Sequence, residues 1–263
     1  MGLIGAILGD IAGSNWEFGR PDDLNYKTVE LFTDKNTYTD DTVLSIATKW
    51  AINNDIPFAN AYSLFANQYP NAGYGASFYD WFHMDELKPY NSFGNGSAMR
   101  VSYIADKFDN ISDITHWAIK SAECTHNHEE GLKGATVTAT CSYFAKDGLS
   151  KDAIYNYMLQ MYPTDKYEWS GKSLDEIRPN YRFDETCQGS IPVAIRCFYE
   201  SDSYESFLRN VFSLRCDADT LGAIGGCIAE NYYGKTGFDN EKLLKKYLDD
   251  DLYEILMGCP KLG

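Results

Sequence analysis

Apolar residues along this chain recur at the three- and four-residue spacing of helices. In the segment DTVLSIATKWAI, residues 41–52, one face would carry Val43, Ile46, Ala47, Trp50 and Ala51. Because this spacing puts side chains on one side of a helix, an amphipathic helix is predicted there. The same pattern predicts helices over residues 111–126, 128–145, 203–216, 219–234 and 240–257.

Alternation of apolar and polar residues, which is typical of strands, is scarce. No internal repeat, low-complexity tract or linker divides the chain. The sequence therefore predicts an all-α protein with a single domain over residues 1–263. That length favours a compact orthogonal helical bundle, with functional loops between the helices, over a simple four-helix bundle.

Charge and cysteine content narrow the classes of function. The formal net charge is -15, so a general nucleic-acid partner is not expected. The seven cysteines are odd in number and lack the C-x-x-C spacing, which predicts reduced thiols and a cytoplasmic protein. The apolar start, MGLIGAILGD, lacks a basic region and reads poorly as a signal peptide, and no apolar run is long enough to span a membrane.

Two acidic segments each precede a predicted helix: TDDT, residues 39–42, and DADT, residues 217–220. Either one alone is typical of a helix cap, because its oxygens accept hydrogen bonds from free N–H groups. Both contain more oxygen than a cap needs, and crowded carboxylates repel unless a cation or proton lies between them. Hard oxygen ligands select Mg²⁺, Ca²⁺ or Mn²⁺, and six of them suit two adjacent ions that share a carboxylate. The predicted metal ligands are Thr39, Asp40, Asp41, Asp217, Asp219 and Thr220.

A glycine-rich segment, NSFGNGSAMR, covers residues 91–100 and matches neither a P-loop nor a dinucleotide-binding loop. Its backbone N–H groups and the side chains of Ser92, Asn95 and Ser97 could hold a phosphate, although an ordinary turn has the same composition. The segment PNAGYGASFYDWF, residues 70–82, adds glycines beside aromatic rings that could stack on a base or a sugar.

The segment CTHNHEEG offers Cys124, His126 and His128 as zinc ligands. A structural zinc site needs more ligands, and the remaining histidines, His83 and His116, form no second cluster. A histidine that ends a helix and contacts a backbone group or a ligand is the preferred interpretation. A zinc hydrolase built on His126 and His128 is the alternative.

Taken together, these segments resemble the ADP-ribosylglycohydrolase family. The matching pieces occur in family order between residues 9 and 234: GDIAGSNWEF, YTDDT, NAGYG, SFGNGSAMR, THNHEEG, CDADT and AENYYG. The two Thr–Asp clusters with the GNG-x-AMR loop between them are specific as a set, whereas each piece alone is weak. The resemblance implies an all-α fold that binds two Mg²⁺ or Mn²⁺ ions.

The resemblance also implies roles for individual residues. Glu17 would lie close to the metals and the distal ribose and, with Asp41, is a candidate catalytic residue. The residues implied to contact ADP-ribose are Gly75, Ser92, Phe93, Asn95, Gly96 and His126, with Phe93 facing the adenine. One departure stands out: Arg215 occupies a position where the family usually has glycine. An inward-pointing Arg215 would compete with cations for the aspartates.

The predicted function is a metal-dependent hydrolase that cleaves ADP-ribose from a modified protein or small molecule and releases ADP-ribose. The acidic balance favours a cationic acceptor, so ADP-ribosylated arginine is the expected substrate. The alternatives are an ADP-ribose-binding relative without turnover, and a hydrolase acting on serine, O-acetyl-ADP-ribose or a nucleobase. A monomer with no membrane partner is expected.

Overall fold

The computed structural model describes residues 2–258, and within that range the protein is all-α, as predicted, with no strand. A single 3₁₀ turn, Asn95–Ser97, interrupts the glycine-rich loop. The helices are α1 (Gly2–Gly13), α2 (Asp40–Asn54), α3 (Phe58–Gln68), α4 (Ala76–Phe82), α5 (Ser102–Lys107), α6 (Ile111–Glu123), α7 (Glu129–Lys146), α8 (Lys151–Met161), α9 (Leu174–Ile177), α10 (Cys187–Tyr199), α11 (Tyr204–Phe212), α12 (Ala218–Tyr233), α13 (Asn240–Tyr247) and α14 (Asp250–Gly258).

The periodic segments form helices close to their predicted bounds, with one difference. Residues 240–257 were predicted as one helical stretch, but α13 and α14 are separate helices. The chain leaves the helical conformation at Leu248, which is buried and extended. Asp250 and Asp251 then fall in the first turn of α14, where acidic side chains interact favourably with the positive helix end.

Helices α1 and α12 pack with their backbones in direct contact. A methyl group added at Gly9 would lie 2.0 Å from the carbonyl oxygen of Gly222, and one added at Gly5 would lie 2.4 Å from that of Gly226. Residue numbers rise along one helix as they fall along the other, so the two helices run antiparallel in backbone contact. Helix α1 was not among the helices predicted from apolar spacing.

Polar side chains fix the N-terminal end of α1. The carboxylate of Asp106 accepts hydrogen bonds from the backbone N–H of Gly2 at 2.8 Å and of Leu3 at 3.0 Å. Glu230 on α12 accepts from the N–H of Gly5 at 2.6 Å. Because free N–H groups at a helix start need acceptors, Asp106 ties the start of α1 to α5, and Glu230 holds the register of α1 against α12.

The core is built from buried apolar side chains of helices at both ends of the chain, with a smaller cluster between α5, α6 and α7. The extent of a single domain over residues 1–263 stays a prediction. No helix among the described residues is long and apolar enough to cross a membrane. The six cysteines in residues 2–258 are free thiols, and Cys259 lies outside the described residues.

Replacing Gly9 by alanine should disrupt the contact between α1 and α12. The added methyl group meets the backbone of Gly222 and not a movable side chain, so we expect a loss of about 3 kcal/mol in the free energy of unfolding. Urea unfolding followed by circular dichroism measures this loss. Gly258→Ala is the control, because among the described residues no atom outside its chain neighbours and its own helix backbone lies within 4 Å of the added methyl group. Equal stability of the two variants would contradict the backbone contact.

Candidate metal centre and ligand cavity

A cavity of about 470 Å³ opens where the N-terminal ends of α2 and α12 meet the glycine-rich loop. Of the predicted site residues, all but Phe93 line it: Glu17, Thr39, Asp40, Asp41, Gly75, Ser92, Asn95, Gly96, His126, Asp217, Asp219 and Thr220. The structure therefore brings together residues that lie up to about two hundred positions apart in the sequence.

The acidic side chains form two groups that share one member. Carboxylate oxygens of Asp10, Asp41 and Asp219 lie within 4.8 Å of one another, and so do those of Glu17, Asp217 and Asp219. Asp219 belongs to both groups, which is the arrangement expected when one carboxylate bridges two cations. Asp40 lines the cavity but belongs to neither group.

Asp10, at the C-terminal end of α1, was not among the predicted ligands. It is fully buried, and its carboxylate accepts hydrogen bonds from the backbone N–H and hydroxyl groups of both Thr39 and Thr42. Asp10 therefore caps α2 from another helix and fixes the Thr39 hydroxyl. A signal was present in the sequence: Asp10 is the only charged residue in GLIGAILGDIAG.

Asp41 is held by the hydroxyl of Thr220 and keeps one oxygen without a partner among the described residues. Its Oδ2 accepts from Thr220 Oγ1 at 3.2 Å. Thr39 Oγ1 lies 3.4 Å from the same oxygen, but the single proton of that hydroxyl goes to Asp10 Oδ1 at 2.7 Å. Asp41 Oδ1 is buried and has no hydrogen-bond partner within residues 2–258. A buried acceptor without a partner is costly, so this oxygen is suited to a cation.

Burial and mutual repulsion shift the acidic groups toward their protonated forms. Burial is the largest cause at every one, and it raises the pKa of Asp10 to about 6 and that of Glu17 to about 7. The pKa values of Asp41 and Asp219 lie well above the usual range, because burial adds to the charges of neighbouring carboxylates. A divalent cation would remove this repulsion. The all-oxygen donor set, the shared Asp219 and the unpartnered Asp41 oxygen all fit such an ion.

Asn95 contacts the acidic cluster with its side chain. Its Nδ2 donates to Asp217 Oδ2 at 2.8 Å and to Ser190 Oγ at 3.0 Å. The amide group is therefore committed to orienting Asp217, although the residue also lines the cavity. The sequence predicted a ligand-loop role for Asn95 and gave no sign of this contact with Asp217.

His126 is oriented by a buried arginine through a threonine. Arg100 Nη2 donates to Thr125 Oγ1 at 2.8 Å, and this hydroxyl lies 2.7 Å from His126 Nδ1. A guanidinium group cannot accept a hydrogen bond, so the threonine proton is free to go to Nδ1. Burial, with a smaller contribution from Arg100, holds the pKa of His126 well below its usual range. The neutral ring then carries its proton on Nε2, the atom nearest the glycine-rich loop at Gly96.

The aromatic residues near the cavity mouth are Phe18, Phe93 and Phe183. Phe93 is 45% exposed, its ring lies 5.3 Å from that of His128, and it does not line the cavity. Phe18 and Phe183 do line it, with ring centroids 5.6 Å apart. A contact between Phe93 and adenine stays a prediction.

Comparison with known proteins adds to this geometry. The family model for ADP-ribosylglycohydrolase matches residues 1–258. The chain belongs to the ADP-ribosylglycohydrolase family. ADP-ribosylhydrolase ARH3 of Homo sapiens is 27% identical, with 88% of this chain and 84% of that protein covered. The protein of the same name from Mus musculus is 25% identical, with 88% and 82% covered. The solved structure of an ADP-ribosylglycohydrolase-related protein complex shares the fold, with a TM-score of 0.73, 18% identity and coverage of 98% of this chain and 95% of that one.

This ADP-ribosylglycohydrolase-family chain accommodates Arg215 without disturbing the acidic cluster. The Arg215 guanidinium pairs with Asp22 at the surface. Arg215 is not among the described residues that have a positive φ, so no strained backbone is required. The side chain therefore points away from Asp217 and Asp219.

The zinc alternative does not fit. His128 caps α7 by accepting from the N–H of Glu130 at 3.1 Å, while Cys124 Sγ contacts the carbonyl oxygen of Ser121 at 3.4 Å. His126 faces Thr125. Among residues 2–258, these three side chains form no metal-binding group.

Magnesium should stabilise the protein more strongly as pH rises. In metal-free protein the folded-state pKa values of Asp10 and Glu17 are raised above their unfolded values of about 4. The contribution of these two groups to the free energy of unfolding is therefore fully present below about pH 4 and is lost as pH rises through about 6 to 7. A divalent cation in this cluster would favour the deprotonated forms of the surrounding carboxyl groups. We expect the Mg²⁺-induced rise in Tm to grow between about pH 5.5 and about pH 8, measured against EDTA-treated protein. The same rise at both pH values would contradict a carboxylate metal site.

Proposed function

We propose that this protein is a metal-dependent hydrolase that cleaves the glycosidic bond between ADP-ribose and a modified acceptor. Water adds at C1″ of the distal ribose, the bond to the acceptor breaks, and ADP-ribose is released. The observation that carries the proposal is the presence of two clusters of acidic side chains in the wall of a cavity of about 470 Å³. The two clusters have Asp219 in common. That volume lies within the range of roughly 300–1,000 Å³ typical of small-molecule sites.

The metal ligands in this proposal are drawn from the two helix starts. They are Thr39, Asp40, Asp41, Asp217, Asp219 and Thr220, with two Mg²⁺ or Mn²⁺ ions as cofactors. When bound, such ions would stabilise developing negative charge and acidify a water molecule. Asp10 supports this set because it accepts the proton of the Thr39 hydroxyl, so that Thr39 Oγ1 keeps one lone pair besides the one that accepts from the backbone N–H of Asp41.

Glu17 and Asp41 are proposed to handle the proton of the attacking water. Glu17 is half-buried, and its raised pKa of about 7 in the metal-free protein suits a group that accepts and returns a proton near neutral pH. Asp41 has a buried oxygen with no other partner, which can orient a water molecule. Both residues line the same cavity.

The ADP-ribose itself is proposed to lie along the glycine-rich loop. Gly75 leaves open space at the start of α4, and Gly96 lies beside the ring of His126. His126, with its Nε2 proton, can donate to a phosphate or ribose oxygen. Ser92 is half-buried in the same wall and Phe93 lies at the outer rim.

An ADP-ribosylated arginine is the proposed acceptor, supported by the net charge of -15, which raises the local concentration of cationic substrates. The alternative substrates are ADP-ribosylated serine, O-acetyl-ADP-ribose and an ADP-ribosylated nucleobase. The rival function is ADP-ribose binding without turnover. A monomer and a cytoplasmic location stay predictions.

The replacement of Asp219 by alanine tests the function. It removes the carboxylate common to both groups, so we expect release of ADP-ribose from ADP-ribosylated peptides to fall at least about a hundredfold. Metal analysis of the same sample should show reduced Mg²⁺ or Mn²⁺ content. Asp85→Ala, at an exposed loop acid outside the cavity, is the control. Binding of ADP-ribose by the wild-type protein without release would support the rival function.

The replacement of Thr125 by valine tests the role of His126. It removes the hydroxyl that lies between Arg100 and His126 Nδ1, so the ring loses its fixed protonation. We expect the Kd of ADP-ribose, measured by calorimetry, to rise about tenfold with metal content unchanged. Thr136→Val is the matched control, because its hydroxyl contacts only a carbonyl within α7. Unchanged affinity in Thr125→Val would show that the Thr125 hydroxyl does not prepare His126 for ligand binding.

A further inference from the structure

A second cavity, of about 590 Å³, adjoins the first at the acidic cluster. The two cavities share Glu17, Thr39 and Gly73 in their walls. The remaining wall comes from the segment before α2, the end of α3 with the loop that follows it, and the break between α13 and α14. A group that leaves C1″ of a ribose held beside Glu17 therefore has space on the far side of this boundary.

The wall of the second cavity has the chemistry of a cation site. It contains the rings of Tyr38, Tyr69 and Tyr247 and the carboxylates of Glu17 and Asp249, with no lysine or arginine among its residues. Aromatic faces attract cations, most of all planar guanidinium groups that can also stack. A carboxylate beside them can accept two parallel N–H bonds from the same group.

The rings in this wall are held in place by their own contacts. The hydroxyl of Tyr38 donates to Asp249 Oδ2, and that of Tyr247 donates to the carbonyl oxygen of Thr33 at 2.8 Å. Burial raises the pKa of Tyr69 to about 12, and the charges of Asp251 and Asp249 add to that shift. Asp249 therefore contacts Tyr38 directly and shares the cavity wall with Tyr69.

Asp249 has no basic partner among the described residues. The two lysines near it in the sequence are engaged elsewhere: Lys246 pairs with Asp34 at 2.7 Å and Lys245 with Glu241 at 2.6 Å. The side chain is exposed at the start of α14, and its one recorded hydrogen bond comes from Tyr38. It thus remains available to a cation that enters from solvent.

We propose that this second cavity binds the guanidinium group of an ADP-ribosylated arginine, with Asp249 and the Tyr69 ring as its recognition elements. The proposal rests on the proposed hydrolase function and names its acceptor site. In the reaction, the water oxygen bonds to C1″ and the C1″–N bond breaks with its electron pair on nitrogen. One water proton stays on the new anomeric hydroxyl and the other ends on that nitrogen, so arginine leaves as a guanidinium ion.

The test compares Asp249→Asn with the wild-type protein on matched peptides ADP-ribosylated at arginine or at serine. Loss of the carboxylate should lower the ratio of kcat/KM for arginine over serine about tenfold, chiefly through KM for the arginine peptide. The Kd of ADP-ribose should not change. Asp250→Asn is the matched control, because Asp250 is exposed at the next position and does not line the cavity. Tyr69→Leu should lower the same ratio, while Tyr69→Phe keeps the ring and the ratio.

A binding measurement that needs no turnover accompanies the kinetics. Agmatine carries a guanidinium group and an ammonium group, 1,4-diaminobutane carries ammonium groups alone, and N-butylurea is a neutral compound of similar shape. With Mg²⁺ and ADP-ribose present, ligand-observed NMR should detect agmatine on the wild-type protein and on Asp250→Asn and weaker binding on Asp249→Asn. Neither 1,4-diaminobutane nor N-butylurea should bind to any of them as agmatine does to the wild-type protein.

The outcomes separate the two proposals. Absence of release from both peptides, with agmatine binding that depends on Asp249, would refute the hydrolase and leave the guanidinium site standing. Release that prefers serine, or an Asp249→Asn variant with unchanged selectivity and agmatine binding, would overturn the guanidinium site and leave the hydrolase standing.

Discussion

The backbone contact between α1 and α12 is the constraint on which the rest of the structure depends. Glycines at matching positions let the two helices approach until a single added methyl group would overlap a carbonyl oxygen. This closeness places the end of α1 beside the start of α12. Asp10 therefore lies close to Asp219 at the start of α12 and to Asp41 at the start of α2. A wider separation would leave room for side chains but would part the carboxylates that define the centre.

The carboxylates of the acidic centre repel one another. Buried carboxylates that face one another are unfavourable, and their raised pKa values record that cost. Part of it is offset by the positive N-terminal ends of α2 and α12 and by hydrogen bonds from Thr39, Thr42 and Asn95. The remainder favours a bound cation. The stability of the fold therefore comes from the apolar core. The repulsion is confined to the acidic clusters, where a bound cation would relieve it.

The surroundings of the centre divide into parts with different chemistry. On one side, the glycine-rich loop, His126 and Asn95 form a wall in which buried polar groups orient one another. On the other side, tyrosine rings and Asp249 surround a cavity with no basic residue. Glu17 and Thr39 stand at the boundary, so a bond between a ribose and its acceptor could cross from one chemical environment to the other at the metal ligands.

The sequence by itself determined the helical class, most of the long helices and the oxygen-rich character of the site. Helical spacing of apolar residues is a local property, and the clusters at residues 39–42 and 217–220 are contiguous. Asp10, the role of Asn95, the outward turn of Arg215, the rim position of Phe93 and the division between α13 and α14 were decided only by the tertiary structure. Each of these features depends on contacts between segments that are distant in sequence, or on how one side chain packs. The order of residues along the chain does not show which groups folding will bury together.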